Sequence, residues 1–346
     1  MTAPRYISQP STEEIAEIAG IDPRNVIRFD HNTSPIHPDW AVPLAMEHTP
    51  WLNEYPDAQY SSLRQAAGTF VSIDVDHIVT GAGIDELILM AAQAFLEPGG
   101  RAVAVTPSYP LQRVASLNRR ASLRELELAA PDFAPGDTEL LEAARAADLL
   151  WLTVPANPVG NRLPDELIAT AIAATDGVVV IDAAYAEIAG DHWTDWVLGN
   201  HNLVVLRTLS KAFNLAGARV GYAMGHPSLI GRLDAVRAPG GISSLSAALG
   251  VAALEEIPAM ERTVEALVNY RSQLADDLAA LGWRVLPSHT NFLLCEVGRE
   301  AHKIAEQTLA QGMIVLTFGA DGPLGNYLRV TVRNPQENAR LLAAIG

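Results

Sequence analysis

Apolar and polar positions along this chain change their pattern near residue 240, which predicts two regions of different architecture. Between residues 78 and 224, short apolar runs without alternation are separated by helical stretches such as Asp85–Leu96 and Asp165–Ala174. Such strands are typical of a mainly parallel sheet that helices cover on both faces. The predicted strands are Arg101–Val105, Leu123–Leu128, Leu149–Thr153, Val178–Ile181, Leu203–Leu206 and Val220–Met224.

The second pattern predicts a smaller α+β domain, beginning with a long helix over Glu261–Leu281 whose apolar residues form one stripe. We expect an amino-terminal arm over residues 1–43 that joins this small domain, a large domain over 44–240 and the small domain over 241–346. The remaining predicted elements are strands at Trp283–Leu286, Phe292–Val297, Met313–Leu316 and Tyr327–Val332, and helices near Ala301–Ala310 and Pro335–Ala344.

Composition narrows the classes of function. A formal charge of −16, from 40 acidic and 24 basic residues, argues against a nucleic-acid partner, because phosphate backbones attract clusters of Lys and Arg. Cys295 is the single cysteine, which excludes an internal disulfide and fits a reducing cytoplasm. No apolar segment reaches the roughly 20 residues that a membrane span requires, so we expect a cytoplasmic protein without a membrane segment.

Lys211 is the most informative candidate for chemistry. It follows the apolar run Leu203–Leu206, with Ser210 before it and Arg219 eight positions after it. A partly desolvated lysine can be neutral and nucleophilic, while a fixed cation nearby holds an anion. These are the requirements of a pyridoxal phosphate site, although an isolated pair of this kind is more often a solvated lysine and a salt-bridged arginine.

The stretch Ser210–Tyr222 (SKAFNLAGARVGY) resembles the SKxxxxxGxRxGY signature of fold-type I aminotransferases of classes I and II, most closely the histidinol-phosphate aminotransferase subfamily. The resemblance runs from Tyr6 to Pro335–Asn338. It implies an α/β fold in which a mainly parallel seven-stranded sheet, flanked by helices, forms a large domain beside a smaller α+β domain. It also implies pyridoxal 5'-phosphate as the cofactor.

A second motif is Thr80–Leu87 (TGAGIDEL), whose small residues open a predicted helix where unpaired amides favour a phosphate. A dinucleotide-binding loop is the competing interpretation, but Glu86 stands where a third glycine is needed. The motif resembles the GNGSDE phosphate cup of the family, with Ile84 in place of serine. By this resemblance, the backbone amides that hold the phosphate are those of Ala82, Gly83, Ile84 and Asp85.

Asp182 closes the apolar run Val178–Ile181, where a carboxylate is costly to bury unless it meets a cation. A protonated pyridine nitrogen would supply that cation, and a helix N-cap is the alternative. The resemblance implies that Asp182 keeps the cofactor ring protonated and that Tyr185 hydrogen-bonds its phenolic oxygen. The other cofactor-binding residues that it implies are Tyr109, which stacks on the ring, Asn157, Ser210 and Arg219.

Two further similarities concern partners and substrate. Leu52–Asp57 resembles a segment whose tyrosine, here Tyr55, reaches the phosphate in the neighbouring subunit, which implies a homodimer with shared sites. Asn326–Thr331 resembles a strand whose arginine, here Arg329, binds the substrate carboxylate, a task that suits a guanidinium fork. The residues alone do not distinguish this role from that of a charge on a solvated strand face. The other predicted substrate contacts are Tyr6, Asn32 and His37.

The departures from the subfamily concern the substrate. Asn32–Pro38 (NTSPIHP) replaces the usual NENPxGP, and Leu316-Thr317 stands where these enzymes carry a phosphate-reading arginine. Arg333 is either a different anion contact or an exposed charge at a strand end; threonine-phosphate decarboxylases of the same fold have a similar ending. The histidines show no HExxH or comparable spacing, so no metal site is predicted.

The resemblance implies transamination of an amino acid or related amine, with a keto acid as the other small-molecule partner. Lys211 would form the aldimine and move the proton that gives the ketimine, with Asp182 and Tyr185 as the other catalytic residues. Decarboxylation, elimination, oxidation or cyclisation on the same fold is the alternative. A non-catalytic regulator would need an added DNA-binding segment, and no basic extension is visible.

Overall fold

The computed structural model describes Tyr6 and residues 9–346, which form two sheets. One sheet has seven strands and the other has five. The strands are β1 Ile27–Phe29, β2 Ile78–Gly81, β3 Arg101–Thr106, β4 Ser122–Glu127, β5 Leu149–Thr153, β6 Val178–Asp182, β7 Leu203–Thr208, β8 Gly221–Gly225, β9 Arg284–Val285, β10 Phe292–Glu296, β11 Met313–Thr317 and β12 Tyr327–Thr331.

The described α-helices cover the sheets and connect their strands. They are α1 Thr12–Ala19, α2 Ala41–His48, α3 Ser61–Val71, α4 Gly83–Phe95, α5 Pro110–Asn118, α6 Asp137–Ala146, α7 Asp165–Ala174, α8 Ala186–Ala189, α9 Thr194–Gly199, α10 Pro227–Asp234, α11 Ser244–Glu255, α12 Ile257–Ala280, α13 Ala301–Leu309 and α14 Pro335–Ile345. None of these helices combines the length and the apolarity needed to cross a membrane.

The seven-stranded sheet has the order β2-β8-β7-β6-β5-β3-β4. All its pairs are parallel except those of β8, which runs antiparallel to both β7 and β2. A loop rather than a crossover helix joins β7 to β8, and a direct return of this kind makes neighbouring strands antiparallel. The prediction of a mainly parallel seven-stranded sheet is confirmed.

Both faces of this sheet are buried, which explains why its strands show no alternation. In β5, Leu150 and Leu152 belong to the apolar core on one face, while Leu149 and Trp151 belong to the core on the other. Successive side chains of a strand point to opposite faces, so a strand between two helical layers is apolar throughout. This burial leaves the carboxyl ends of the strands as the place where polar side chains collect.

The five-stranded sheet has the order β1-β11-β12-β10-β9, in which only β1 and β11 are parallel. Ile27 pairs with Met313, so this pairing ties the amino-terminal segment to the smaller sheet. Leu274 and Leu278 of α12 pack into the same core. The helix α12 begins at Ile257, earlier than the predicted Glu261, because Pro258 suits its first turn.

Candidate active site

Three elements meet at one edge of the large sheet. Asp182 is the last residue of β6, Lys211 lies just beyond the end of β7, and Gly83 begins α4 directly after β2. The carboxyl ends of parallel strands and the positive amino terminus of a helix are the usual positions for a charged ligand. Residues that are distant in the chain therefore share one edge.

The amine of Lys211 points towards the amino-terminal arm. Its Nζ donates to the backbone carbonyl oxygen of His31 at 3.3 Å and lies 6.0 Å from the centroid of the Tyr185 ring. Burial lowers the pKa of Lys211 to about 8, and the positive charges of Arg329 and Arg219 act in the same direction. An appreciable fraction of this lysine is therefore neutral, and thus nucleophilic, near neutral pH.

The carboxylate of Asp182 is buried at the end of β6. It accepts a hydrogen bond from the Ala184 amide at 3.2 Å. Burial raises the pKa of Asp182 to about 7; the charge of Asp85 also raises it, while the Ala184 hydrogen bond and Lys211 lower it. A buried acid of this kind fits a cationic group such as a protonated ring nitrogen.

Arg219 crosses from the Lys211 loop to the start of α4. Its Nη2 lies 2.8 Å from Asp85 Oδ2, and its Nη1 lies 3.4 Å from Ser210 Oγ. Gly83, at φ +77°, makes room for the guanidinium, because a Cβ added there would lie 2.6 Å from Arg219 Nη2. The guanidinium is held against the helix amino terminus, where it would fit an anion together with the first amides of α4.

One amide of the predicted phosphate cup is already occupied. The Ala82 amide donates to the side chain of Glu86 within the first turn of α4. The amides of Gly83, Ile84 and Asp85 begin the helix and have no acceptor within it, as at any helix start. These three amides can still donate to an anion, whereas the Ala82 amide already donates to Glu86.

Tyr109 lies on the other side of Asp85. Its hydroxyl donates to Asp85 Oδ1 at 3.0 Å, and its ring centroid is 5.9 Å from that of Tyr6. Burial and the Asp85 carboxylate raise the pKa of Tyr109, so its hydroxyl stays protonated as a donor. Asp85 thus connects Tyr109 to Arg219, and Tyr6 is brought to the same cluster.

Arg329 is buried beneath this cluster. Its Nη1 donates to Asn157 Oδ1 at 2.6 Å, and its Nη2 donates to the backbone carbonyl of Asp30. The Nε atom is buried without a hydrogen-bond partner among the described residues. Because a buried N–H without an acceptor is unfavourable, Arg329 is suited to receive a carboxylate.

Asn32 is fixed by a hydrogen-bond network. Its Nδ2 donates to Tyr185 Oη at 2.9 Å, and its Oδ1 accepts from Thr331 Oγ1 at 3.0 Å. The backbone amide of Asn32 also donates to Thr331 Oγ1, and its carbonyl accepts from Asn291 Nδ2. Its backbone lies in the left-handed region at φ 52°, which asparagine tolerates better than most residues. Asn32 therefore holds Tyr185 in place.

Four consecutive residues that follow β1, Asp30–Thr33, each contact a different side chain, which is a member of the cluster for the first three and Arg333 for the fourth; we call these four residues the arm strip. Asn32 was predicted from the sequence, whereas Asp30 and His31 were not, because their contacts are made by backbone carbonyls. The partners are Arg329 for Asp30, Lys211 for His31, Tyr185 for Asn32 and Arg333 for Thr33.

Two predicted residues lie apart from the cluster. The side chain of Tyr55 is 94% exposed, and His37 is also exposed. Within the described part of the chain, no hydrogen bond joins either side chain to the residues around Lys211. In one subunit, the structure thus brings together Tyr6, Asn32, Asp85, Tyr109, Asn157, Tyr185, Ser210, Lys211, Arg219 and Arg329.

Comparison with known proteins identifies the family. Residues 24–345 match the family described as aminotransferase class I and II. The chain is 32% identical over 326 residues to histidinol-phosphate aminotransferase 2 of Archaeoglobus fulgidus, covering 93% of each chain. It is 30% identical over 357 residues to histidinol-phosphate aminotransferase of Methanothermobacter thermautotrophicus, covering 99% of this chain and 94% of the relative.

A solved structure agrees with these relatives. Histidinol-phosphate aminotransferase from Sinorhizobium meliloti, in complex with pyridoxal-5'-phosphate, superposes with a TM-score of 0.89 at 25% identity, covering 98% of this chain and 94% of that one. The chain belongs to the class I and II aminotransferases, and the expected fold type I is confirmed. The protein is a pyridoxal phosphate-dependent aminotransferase, as its sequence motifs predicted.

Proposed function

We propose that this aminotransferase carries out its reaction at the cluster around Lys211 and acts on an amino acid or related amine, as the histidinol-phosphate aminotransferases do. The observation that carries the proposal is the Asp182 carboxylate, which is buried on the same sheet edge as the Lys211 amine. A buried acid beside a partly neutral amine is unfavourable for the stability of the protein. A bound cationic heterocycle would offset this cost by pairing with the acid.

The residues fit pyridoxal phosphate. Its phosphate would be held by Arg219, Ser210 and the amides of Gly83–Asp85, where the missing side chain of Gly83 leaves room for the guanidinium. Tyr109 would stack on its ring. When bound, this group supplies an aldehyde that condenses with amines and a protonated ring that withdraws electrons from the substrate α-carbon.

The protein side chains would then divide the work. Lys211 Nζ would take the proton from the substrate α-carbon, a task that its pKa of about 8 suits. Asp182 would stabilise a protonated ring nitrogen. Tyr185, fixed by Asn32, donates from its hydroxyl, and burial raises its pKa to about 12, which keeps that proton in place.

Arg329 would bind the substrate carboxylate. Its Nε is free of a partner among the described residues, and Asn157 holds its Nη1. Burial lowers the pKa of Arg329. Because an arginine keeps its charge in proteins, an incoming carboxylate would relieve the cost of burying that charge.

We also propose a homodimer in which Tyr55 reaches the phosphate of the neighbouring subunit. Five large apolar side chains are exposed between residues 42 and 55. They are Val42, Met46, Trp51, Leu52 and Tyr55. A concentration of exposed apolar side chains is typical of a protein–protein contact.

We further propose that the domains are divided after residues 43 and 240 and that the protein is cytoplasmic. The free thiol of Cys295 fits a cytoplasmic location.

The test is a donor screen with purified holoenzyme. The enzyme is incubated with single amino acids and amines, and the cofactor absorption is followed together with the keto product. We expect at least one donor to convert the cofactor to its amine form and to yield a keto product. Release of carbon dioxide without a keto product would contradict the proposal.

A further inference from the structure

Two arginines beside the arm strip are already neutralised by carboxylates. Arg28 donates from Nε and Nη2 to the two oxygens of Asp30 at 2.8 and 2.7 Å. Arg333 donates from Nε and Nη2 to the two oxygens of Glu337 at 3.0 and 3.2 Å. Both are two-point pairs, the geometry in which a guanidinium and a carboxylate satisfy each other best.

The other cations of the site have tasks in the proposed function. Lys211 reacts, Arg219 holds the cofactor phosphate and Arg329 binds the α-carboxylate. In the part of the chain that the structure describes, the arm strip therefore offers no arginine free to meet a second negative group on the substrate. Burying a phosphate or carboxylate there without a cation would be strongly unfavourable.

His31 is the polar side chain left at this position. Its side chain is 49% exposed, and its backbone carbonyl accepts from Lys211 Nζ, so the residue lies beside the reacting amine. His31 Nε2 is 2.6 Å from Arg28 Nη2. A guanidinium N–H can only donate, so Nε2 accepts, and the neutral ring carries its hydrogen on Nδ1.

Protonation of His31 would remove that acceptor and bring a second cation against Arg28. Burial lowers the pKa of His31, and the charges of Arg28, Lys211 and Arg329 lower it further, while Asp30 raises it. The neutral ring is thus the form present in this residue, whose backbone carbonyl contacts Lys211. It can donate one hydrogen bond but adds no charge.

We infer that the substrate side chain beyond the α-carbon is uncharged and accepts a hydrogen bond from His31. This inference rests on the proposed function and specifies its substrate class: amines or amino acids with a hydroxyl, amide or neutral imidazole, without a distal phosphate or carboxylate. Arg28 and Arg333 are each held at two points by a carboxylate and do not turn to an anion, unlike Arg219, which Asp85 contacts at one point. The Nδ1–H of His31 recognises the neutral acceptor.

The first test compares donors that differ by one negative group. Holoenzyme is mixed with asparagine or aspartate, serine or phosphoserine, and glutamine or glutamate, and kcat/KM is measured from the conversion of the cofactor. We expect the better neutral donors to exceed their anionic counterparts by about tenfold or more, the cost of one unpaired charge. Equal values or a preference for the anionic members would overturn the inference while transamination stands. If no donor converts the cofactor, the proposed function itself fails.

The second test changes the side chains. His31→Ala should lower kcat/KM for the best neutral donor about tenfold, and His31→Asn, whose amide can still donate, should recover part of the loss. The cofactor absorption should stay unchanged in both variants, because Lys211 contacts the backbone of His31. Unchanged kcat/KM in His31→Ala would refute the role of the ring.

The third test separates Arg333 from the carboxylate that neutralises it. Glu337→Gln removes the charge that neutralises Arg333 and should raise the ratio of kcat/KM for anionic over neutral donors about tenfold. The control is Glu300→Gln, which removes the same type of charge from the exposed pair with Lys303 and should leave the ratio unchanged. A ratio that does not move in Glu337→Gln would overturn the assignment of anion exclusion to this pair.

Discussion

The Nζ of Lys211 lies 3.3 Å from the carbonyl oxygen of His31, although 180 residues separate them in the chain. His31 follows β1, which belongs to the smaller sheet, whereas Lys211 follows β7 of the larger one. The position of the amine therefore depends on both sheets. The arm strip holds the reactive end of the lysine where Tyr185 and Asp182 also lie.

Lys211→Ala should abolish the absorption of the lysine-bound cofactor and lower kcat by about 10²–10⁴-fold or more. The variant lacks the amine that both binds the cofactor and carries the proton. The melting temperature of the apoprotein should change little, since a partly neutral buried amine contributes little to stability. Lys211→Arg is the matched control and should be equally inactive. A wild-type spectrum in Lys211→Ala would contradict the assignment.

Asp182 should make the apoprotein sensitive to pH. Folding raises its pKa from 3.8 to about 7, so the folded protein binds this proton more tightly than the unfolded chain. The free energy of unfolding should therefore fall as pH rises from about 4 to about 7, by an amount on the order of 4 kcal/mol. Urea unfolding at pH 5 and pH 8 measures the loss.

The matched variant for that measurement is Asp182→Asn, which cannot titrate. Its apoprotein should show a smaller loss of stability over the same pH interval than the wild type. Added pyridoxal phosphate should reduce the difference, because a cation on the ring would stabilise the carboxylate. Identical pH dependence in the two proteins would show that Asp182 is not the group responsible.

Arg219→Ala should raise the Kd for pyridoxal phosphate about 10- to 100-fold, which corresponds to the loss of a charged hydrogen bond. Arg219→Lys should recover part of the affinity, because it keeps the charge but not the fork. Arg24→Ala is the control, since that side chain is 89% exposed and pairs only locally with Asp22. An unchanged Kd in Arg219→Ala, measured by absorbance titration, would count against the phosphate site.

Trp51→Glu should convert the proposed homodimer to monomers and reduce activity, because it places a charge in the exposed apolar patch beside Tyr55. Ile18→Glu is the matched control: Ile18 is 59% exposed, close to the 64% of Trp51, but belongs to α1. Sedimentation velocity distinguishes the two. A wild-type protein that sediments as a monomer, or a dimer that survives Trp51→Glu, would refute the shared site.

The fold was predictable where burial produces a strong pattern. The run Leu149–Thr153 was predicted with the bounds that β5 has, because both its faces are covered. The helix α11 was missed, since its small and apolar residues leave no polar face to mark it, and α2 was missed because Pro43 lies in its first turn. The strand β1 is too short to recognise without its partner β11.

The site was predictable where a motif is local. Lys211 and Arg219 share one loop, and Asp182 ends a recognisable strand. The network of Asn32 was not predictable, because its amide bonds Thr331, 299 residues away. A linear pattern identifies which residues carry charge and can suggest the local pair of Arg333 with Glu337, four residues on. The contact of Arg333 with Thr33 depends on the strand order of the smaller sheet, which brings the end of β1 close to the end of β12.

Gly83 contributes to the proposed phosphate site although it has no side chain. A single methyl at this position would occupy the space of the Arg219 guanidinium and would also strain a backbone at φ +77°. Gly83→Ala would thus displace the arginine without altering it. In the proposed site, retention of the cofactor would therefore depend on the absence of a side chain at Gly83 as well as on the charge of Arg219.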